Sequence, residues 1–164
     1  MAARAWARAL GVAAAVVAAD QLSKAWVNHS IAQGEVRNVF LGIDFVNVRN
    51  RGVAFGLLSG GRGLVLLLTA AALLALLVYF ATHPARPLLW LPTGLLVGGA
   101  LGNLTDRLRG ESVTDFIDLP FWPPFNLADT AITLGVVLLL LVLERGEGAP
   151  APGEAGDERD PRTA

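Results

Sequence analysis

The run LVLLLTAAALLALLVYFA, residues 64–81, carries no charged side chain and no polar stripe. A helix that is apolar all round has no face to give to water, whereas the helices of a soluble four-helix bundle would each show one. Three further apolar runs cover about residues 6–27, 88–104 and 127–143. Each approaches the roughly 20 residues that cross the hydrocarbon of a bilayer, the last two on the short side. The chain is 54% hydrophobic and only 16% charged, against about 25% charged in soluble domains. The fold class that follows is an all-α membrane protein with four transmembrane helices.

Composition also excludes. A net charge of −1 does not suit a nucleic-acid partner, which needs a basic face. The chain has no cysteine, so disulfides, thiolate metal sites and a cysteine nucleophile are all out. His29 and His83 fall in different connections, which argues against a histidine zinc site; no metal and no cofactor is expected. The N-terminal MAARAWARALGVAAAVVAAD imitates a cleavable signal peptide, but apolar character resumes in LSKAWV, and removal would leave an odd number of spans. The first run is therefore read as retained.

An even number of spans puts both termini on one side. Arg4, Arg8, Arg86 and Arg145 flank the terminal side and Lys24, Arg37, Arg49, Arg51, Arg62, Arg107 and Arg109 the other, so by raw count the positive-inside rule points away from internal termini and charge leaves the topology open. The connection over residues 28–62 contains NVFLGIDFVNVRN, alternating and rich in Val, Ile and Phe, as short strands are, with Gly34, Gly42, Gly52 and Gly56 as punctuation. A small sheet on the membrane surface is expected there. The four-helix domain is drawn at residues 1–145. The acidic, Gly/Pro/Ala-rich tail 146–164 is read as disordered.

Polar residues gather at the helix ends of one side: DQLSK (20–24), NVRNRGVAFG (47–56), GNLTDRLRGESVTDF (102–116) and FNLAD (125–129). A carboxylate near hydrocarbon costs about 2.5–3.5 kcal/mol by insertion scales, so each is a functional hypothesis. Capping explains some of them: Asn126 suits the N-cap of the last span with Asp129 in its first turn. Capping does not require asparagines and aspartates at all four places. Gly98, Gly99 and Gly102 let helices approach closely, which for the glycines alone means packing, although it brings Asn103, Asp106 and Arg107 beside a neighbouring helix. Without cysteine or a histidine cluster, two carboxylates sharing a proton are the natural acid–base pair. A Ser23–Lys24 dyad is a poor rival because adjacent helical residues point about 100° apart. A channel lined by aspartates is the non-enzymatic rival, but a pore places ionisable groups at depth, and these span centres are bare.

In DQLSK, NRGVAFG, GGALGNLTDRL, VTDFID and FNLADTAI, in that order, the chain resembles the bacterial lipoprotein signal peptidases, the type II signal peptidases, over residues 15–145. The resemblance implies four transmembrane helices, both termini cytoplasmic, a small β-cradle on the extracytoplasmic side, and an aspartic dyad at that face of the bacterial inner membrane. It implies a diacylglyceryl-modified prolipoprotein as substrate, cut just before the lipidated cysteine, with membrane lipids as the other partner, no metal, and a monomer. Carried over by position, the catalytic aspartates are Asp115 and Asp129. Asn50, Asn103, Arg107 and Asn126 line the site, and Asp20, Lys24 and Asp106 support it. Asp106 is as embedded in motif as Asp115. Asp115 is favoured because SVTDF is extended and can face inward, whereas Asp106 has Arg107 beside it as an ion-pair partner. Asp118 is read as a solvated loop charge. The proline-rich LPFWPP is shorter than the family pattern leads one to expect.

Overall fold

The computed structural model describes residues 1–40, 42–50, 62–110 and 112–147. The Arg51 to Gly56 part of the NRGVAFG motif, with Gly52, lies outside them, as does the tail from residue 148. Four helices, α1 (Ala2–Ser30), α2 (Arg62–Thr82), α3 (Trp90–Gly110) and α4 (Leu127–Glu147), carry four strands, β1 (Val36–Phe40), β2 (Ile43–Asn50), β3 (Val113–Leu119) and β4 (Trp122–Phe125). The strands form one antiparallel sheet in the order β1-β2-β3-β4.

The helices are inside out by soluble standards. Leu10, Leu67, Leu74, Val78, Leu134 and Leu140 are each more than half exposed, while Asp20 and Asn126 are 0% exposed. Continuous exposed leucine is a surface for lipid. Helices that gain nothing by burying leucine against one another pack through small residues, and α3 does so on two sides. A Cβ added at Gly94 would lie 2.7 Å from the Ala9 carbonyl of α1, one at Gly98 2.8 Å from the Ala13 carbonyl, and one at Gly99 2.5 Å from the Ala128 carbonyl of α4. The three glycines singled out in the sequence are helix-packing positions, and Gly94 and Gly135 extend the set.

Among the described residues two helices have the length and apolarity of a span, Ala2–Ser30 with mean hydropathy 1.3 and Leu127–Arg145 with 2.1, and Leu67–Thr82 is a shorter apolar helix. The third run starts later than its hydropathy suggests. Pro87 has no N–H to give a helix and Leu88 sits at φ +61, so α3 begins at Trp90.

The sheet corrects the sequence reading. Half of it comes from residues 113–125, not from the 28–62 connection. LPFWPP is no simple turn but the hairpin between β3 and β4, reversed at Phe121 with φ +67. Pro123 and Pro124 fit because β4 is an edge strand, where a missing N–H breaks no ladder. Asp118 belongs to β3, opposite Asp44, and not to a loop. Val27 of α1 and Ile31 just past its end bury against Phe116 of β3, with Phe45 and Leu127 around them. That cluster locks the sheet onto the helix ends.

Candidate active site

Asp115 is 2% exposed in the middle of β3, paired across the ladder with Val48. Both of its oxygens accept hydrogen bonds from asparagine amides: Oδ2 from Asn50 Nδ2 at 2.9 Å and Oδ1 from Asn126 Nδ2 at 2.7 Å. Asn50 ends β2, and Asn126 immediately precedes α4. The carboxyl is pushed up to about 6, chiefly because burial penalises its charge; the two asparagine donors oppose the shift, the negative charge of Asp129 adds to it, and Lys24 lowers it.

Asp129 is half-buried in the first turn of α4. Its backbone N–H donates to Asn126 Oδ1 at 3.0 Å, and its Oδ2 accepts from the Asn126 N–H at 3.3 Å. This reciprocal pair is a capping box with aspartate in place of the usual glutamate. Asn126 is thus both cap and bridge: its carbonyl end starts α4 while its NH₂ end reaches Asp115 and, at 3.2 Å, Asn103 Oδ1. Asn103 of α3 closes the ring by donating to Asp129 Oδ1 at 2.8 Å.

Behind this ring lies a second, ionic layer. Lys24 is 3% exposed and its Nζ meets Asp20 Oδ2 at 2.8 Å, Asp106 Oδ2 at 2.9 Å and Asn103 Oδ1 at 3.0 Å. The other Asp20 oxygen accepts the Ala128 N–H of α4 at 3.0 Å. Asp106 also accepts from Gln21 Nε2 at 2.8 Å and from the Thr114 N–H of β3 at 3.3 Å. The ion-pair partner of Asp106 is therefore Lys24, not the Arg107 expected from its neighbour position: adjacent residues of a helix diverge by about 100°, whereas Lys24 and Gln21 both face Asp106 across the α1–α3 contact. Arg107 donates to the Asn103 carbonyl at 3.4 Å. Ser23 Oγ donates to the Asp20 carbonyl at 2.8 Å, away from Lys24 chemistry.

Sequence reading missed Gln21, which ties Asp20, the Gly102 carbonyl and Asp106 together, although it stands inside DQLSK. It missed Thr114 too, whose hydroxyl accepts from Arg49 at 2.9 Å. Beside Asp129 runs a groove of about 640 Å³, walled by Asn50, Leu119, Trp122, Phe125, Thr130 and Leu134, polar at the carboxylate and apolar beyond it. Among the described residues no group of three or more His, Cys, Asp and Glu side chains could hold a metal.

Exposed apolar helices beneath two asparagine-held carboxylates, one buried and one half-buried, have the layout of a membrane enzyme. The fold agrees: a bacterial membrane enzyme solved by the in meso method at 2.3 Å resolution superposes with a TM-score of 0.77 at 32% identity, over 90% of this chain and 94% of that one. The family model described as signal peptidase (SPase) II matches residues 12–144. The lipoprotein signal peptidase of Syntrophomonas wolfei is 46% identical over 129 residues, 78% of this chain and 87% of that protein. That of Halothermothrix orenii is 39% identical over 136 residues, 80% and 92% of the two chains. The chain belongs to the signal peptidase II family.

Proposed function

We propose that this protein is an aspartic membrane peptidase that removes the signal peptide from lipid-modified prolipoproteins, cutting before the lipidated cysteine, with Asp115 and Asp129 as its dyad. The observation that carries the reading is the position of Asn126, whose one side chain holds Asp115 Oδ1 at 2.7 Å and the Asp129 N–H at 3.0 Å. Two carboxylates kept this near share a proton. Asp115, the more buried, keeps it and polarises the scissile carbonyl; ionised Asp129 takes a proton from water, whose oxygen attacks the carbonyl carbon. When the C–N bond breaks, Asp129 returns that proton to the departing amine. Asn50 and Asn103 keep both carboxylates aimed.

The substrate class is supported by the names of the relatives and by the groove, whose apolar far wall suits a lipid-bearing peptide. Each buried methylene of such a lipid holds the substrate at the interface by about 0.8 kcal/mol. The reading takes all four helices as spans, with α3 crossing by virtue of its burial between α1 and α4. It takes residues 1–145 as the functional domain, both termini as cytoplasmic, the sheet as extracytoplasmic, and a monomer as the active unit. The test is cleavage of a lipidated prolipoprotein in detergent or vesicles. Asp115→Asn and Asp129→Asn should each lose about 10²–10⁴-fold in rate, the range for a lost acid or base, and parental cleavage by either overturns the dyad. Loss of cleavage in Asp106→Asn with unchanged thermal stability would move the chemistry to Asp106.

A further inference from the structure

At the end of the helices away from the aspartates, a groove of about 270 Å³ opens between the start of α3 and the last turns of α4. Leu88, Leu91, Leu138 and Leu141 line it together with Arg86 and Arg145. From Asp129 to Val142 is thirteen residues of α4, about 20 Å of helix, so on the membrane reading above, on which this inference rests, the groove lies in the opposite leaflet.

Its cations differ from ordinary helix-end charges. Arg86 is held in place: its guanidinium donates to the Tyr79 hydroxyl, to the Val142 carbonyl at 3.1 Å and to the Leu143 carbonyl at 2.6 Å. Those bonds use both terminal nitrogens, and no acceptor among the described residues meets its Nε–H. Arg145 is exposed and makes no ion pair among the described residues. Leu88, half exposed, is kept at φ +61, a conformation that a branched side chain adopts only when its surroundings impose it. Two cations in the lining of a groove otherwise walled by leucine, proline and valine complement an amphiphile with a negative head and an apolar tail, and basic pockets between membrane helices take anionic headgroups.

We propose that this groove binds one phospholipid with an anionic headgroup, its phosphate against Arg86 and Arg145 and one acyl chain along the leucines between α3 and α4. The lipid clamps the α2–α3 connection to the end of α4, far from the chemistry.

Native mass spectrometry of the full chain in detergent, titrated with phosphatidylglycerol or with phosphatidylcholine of the same acyl chains, tests this. The wild type should retain one phosphatidylglycerol in preference to phosphatidylcholine. Arg145→Gln should weaken that retention about fivefold, the worth of one basic residue at an anionic lipid surface, and Leu141→Trp, which fills the groove without touching a cation, should abolish it. Equal retention of the two lipids by the wild type, or undiminished phosphatidylglycerol retention in both variants, overturns the proposal. So does binding of glycerol phosphate as tight as that of the lipid, which would make the site a simple anion site. Retention is read by mass and not by cleavage, so Asp115→Asn protein should keep the lipid whatever its peptidase activity.

Discussion

Lys24 Nζ donates to Asn103 Oδ1 at 3.0 Å and, with the Asn126 amide, decides which end of the Asn103 amide faces Asp129. With its oxygen taken by the ammonium and by Asn126, Asn103 can offer Asp129 only its NH₂. The buried cation acts on the aspartate pair through this amide and also pairs with both Asp20 and Asp106.

Removing that cation leaves two carboxylates buried without it. Lys24→Met should destabilise the protein by about 3–5 kcal/mol, the cost of breaking a buried ion pair from one side. Thermal denaturation in detergent measures this; a loss below about 1 kcal/mol would show the layer to be hydrated and dispensable.

The pH dependence of stability follows from Asp115, whose carboxyl is raised from 3.8 to about 6. An acid with a raised pKa favours the folded state most when protonated, so its contribution is fully present below about pH 4, declines as pH rises, and levels off above about 6. A rise of that size corresponds to about 3 kcal/mol. The difference in stability between wild type and Asp115→Asn, followed by denaturation from pH 4 to 8, should change by that order across this window, and a flat difference would contradict it.

Asn126 permits its two duties to be separated. Asn126→Ser keeps a side-chain acceptor for the α4 cap but leaves the buried Asp115 oxygen one donor short, so stability should fall by about 1–3 kcal/mol. The donor to Asp115 disappears, and cleavage should drop at least about tenfold, as expected when a positioned acid–base group loses its aim. Circular dichroism melts and cleavage rates on the same preparation distinguish the two effects.

Two glycines make a paired test of helix packing. At Gly99 a Cβ would lie 2.5 Å from the Ala128 carbonyl, whereas at Gly11 it meets nothing within 4 Å. Gly99→Ala should destabilise by about 1–3 kcal/mol through overpacking, and Gly11→Ala should stabilise by about 0.4–1 kcal/mol. Equal melting shifts would mean that α3 and α4 are not held this tightly.

Much of the fold was legible where local chemistry dictates it. The exposed leucines of α2 and α4, the FNLAD cap and the strand pattern of NVFLGIDFVNVRN are all properties of short segments. The hairpin over residues 113–125 was not, because a strand with prolines reads as a turn unless its place at a sheet edge is known. The partner of Asp106 was hidden for a similar reason: sequence distance favours Arg107, while Lys24 lies 82 positions away and comes near only because Gly94, Gly98 and Gly102 bring α3 against α1.

By itself the sequence determined the kind of surface these helices present and the polar motifs at their ends, since periodicity and capping depend on neighbours a few residues apart. The tertiary structure decided how those motifs share their hydrogen bonds. Asp115 lies between Asn50 and Asn126, Asp106 goes to Lys24, and Asn103 is turned toward Asp129. The Asn50 bond follows from the pairing of β2 with β3; the others depend on how closely whole helices approach, and that distance is set by small residues whose effect appears only once the helices are packed.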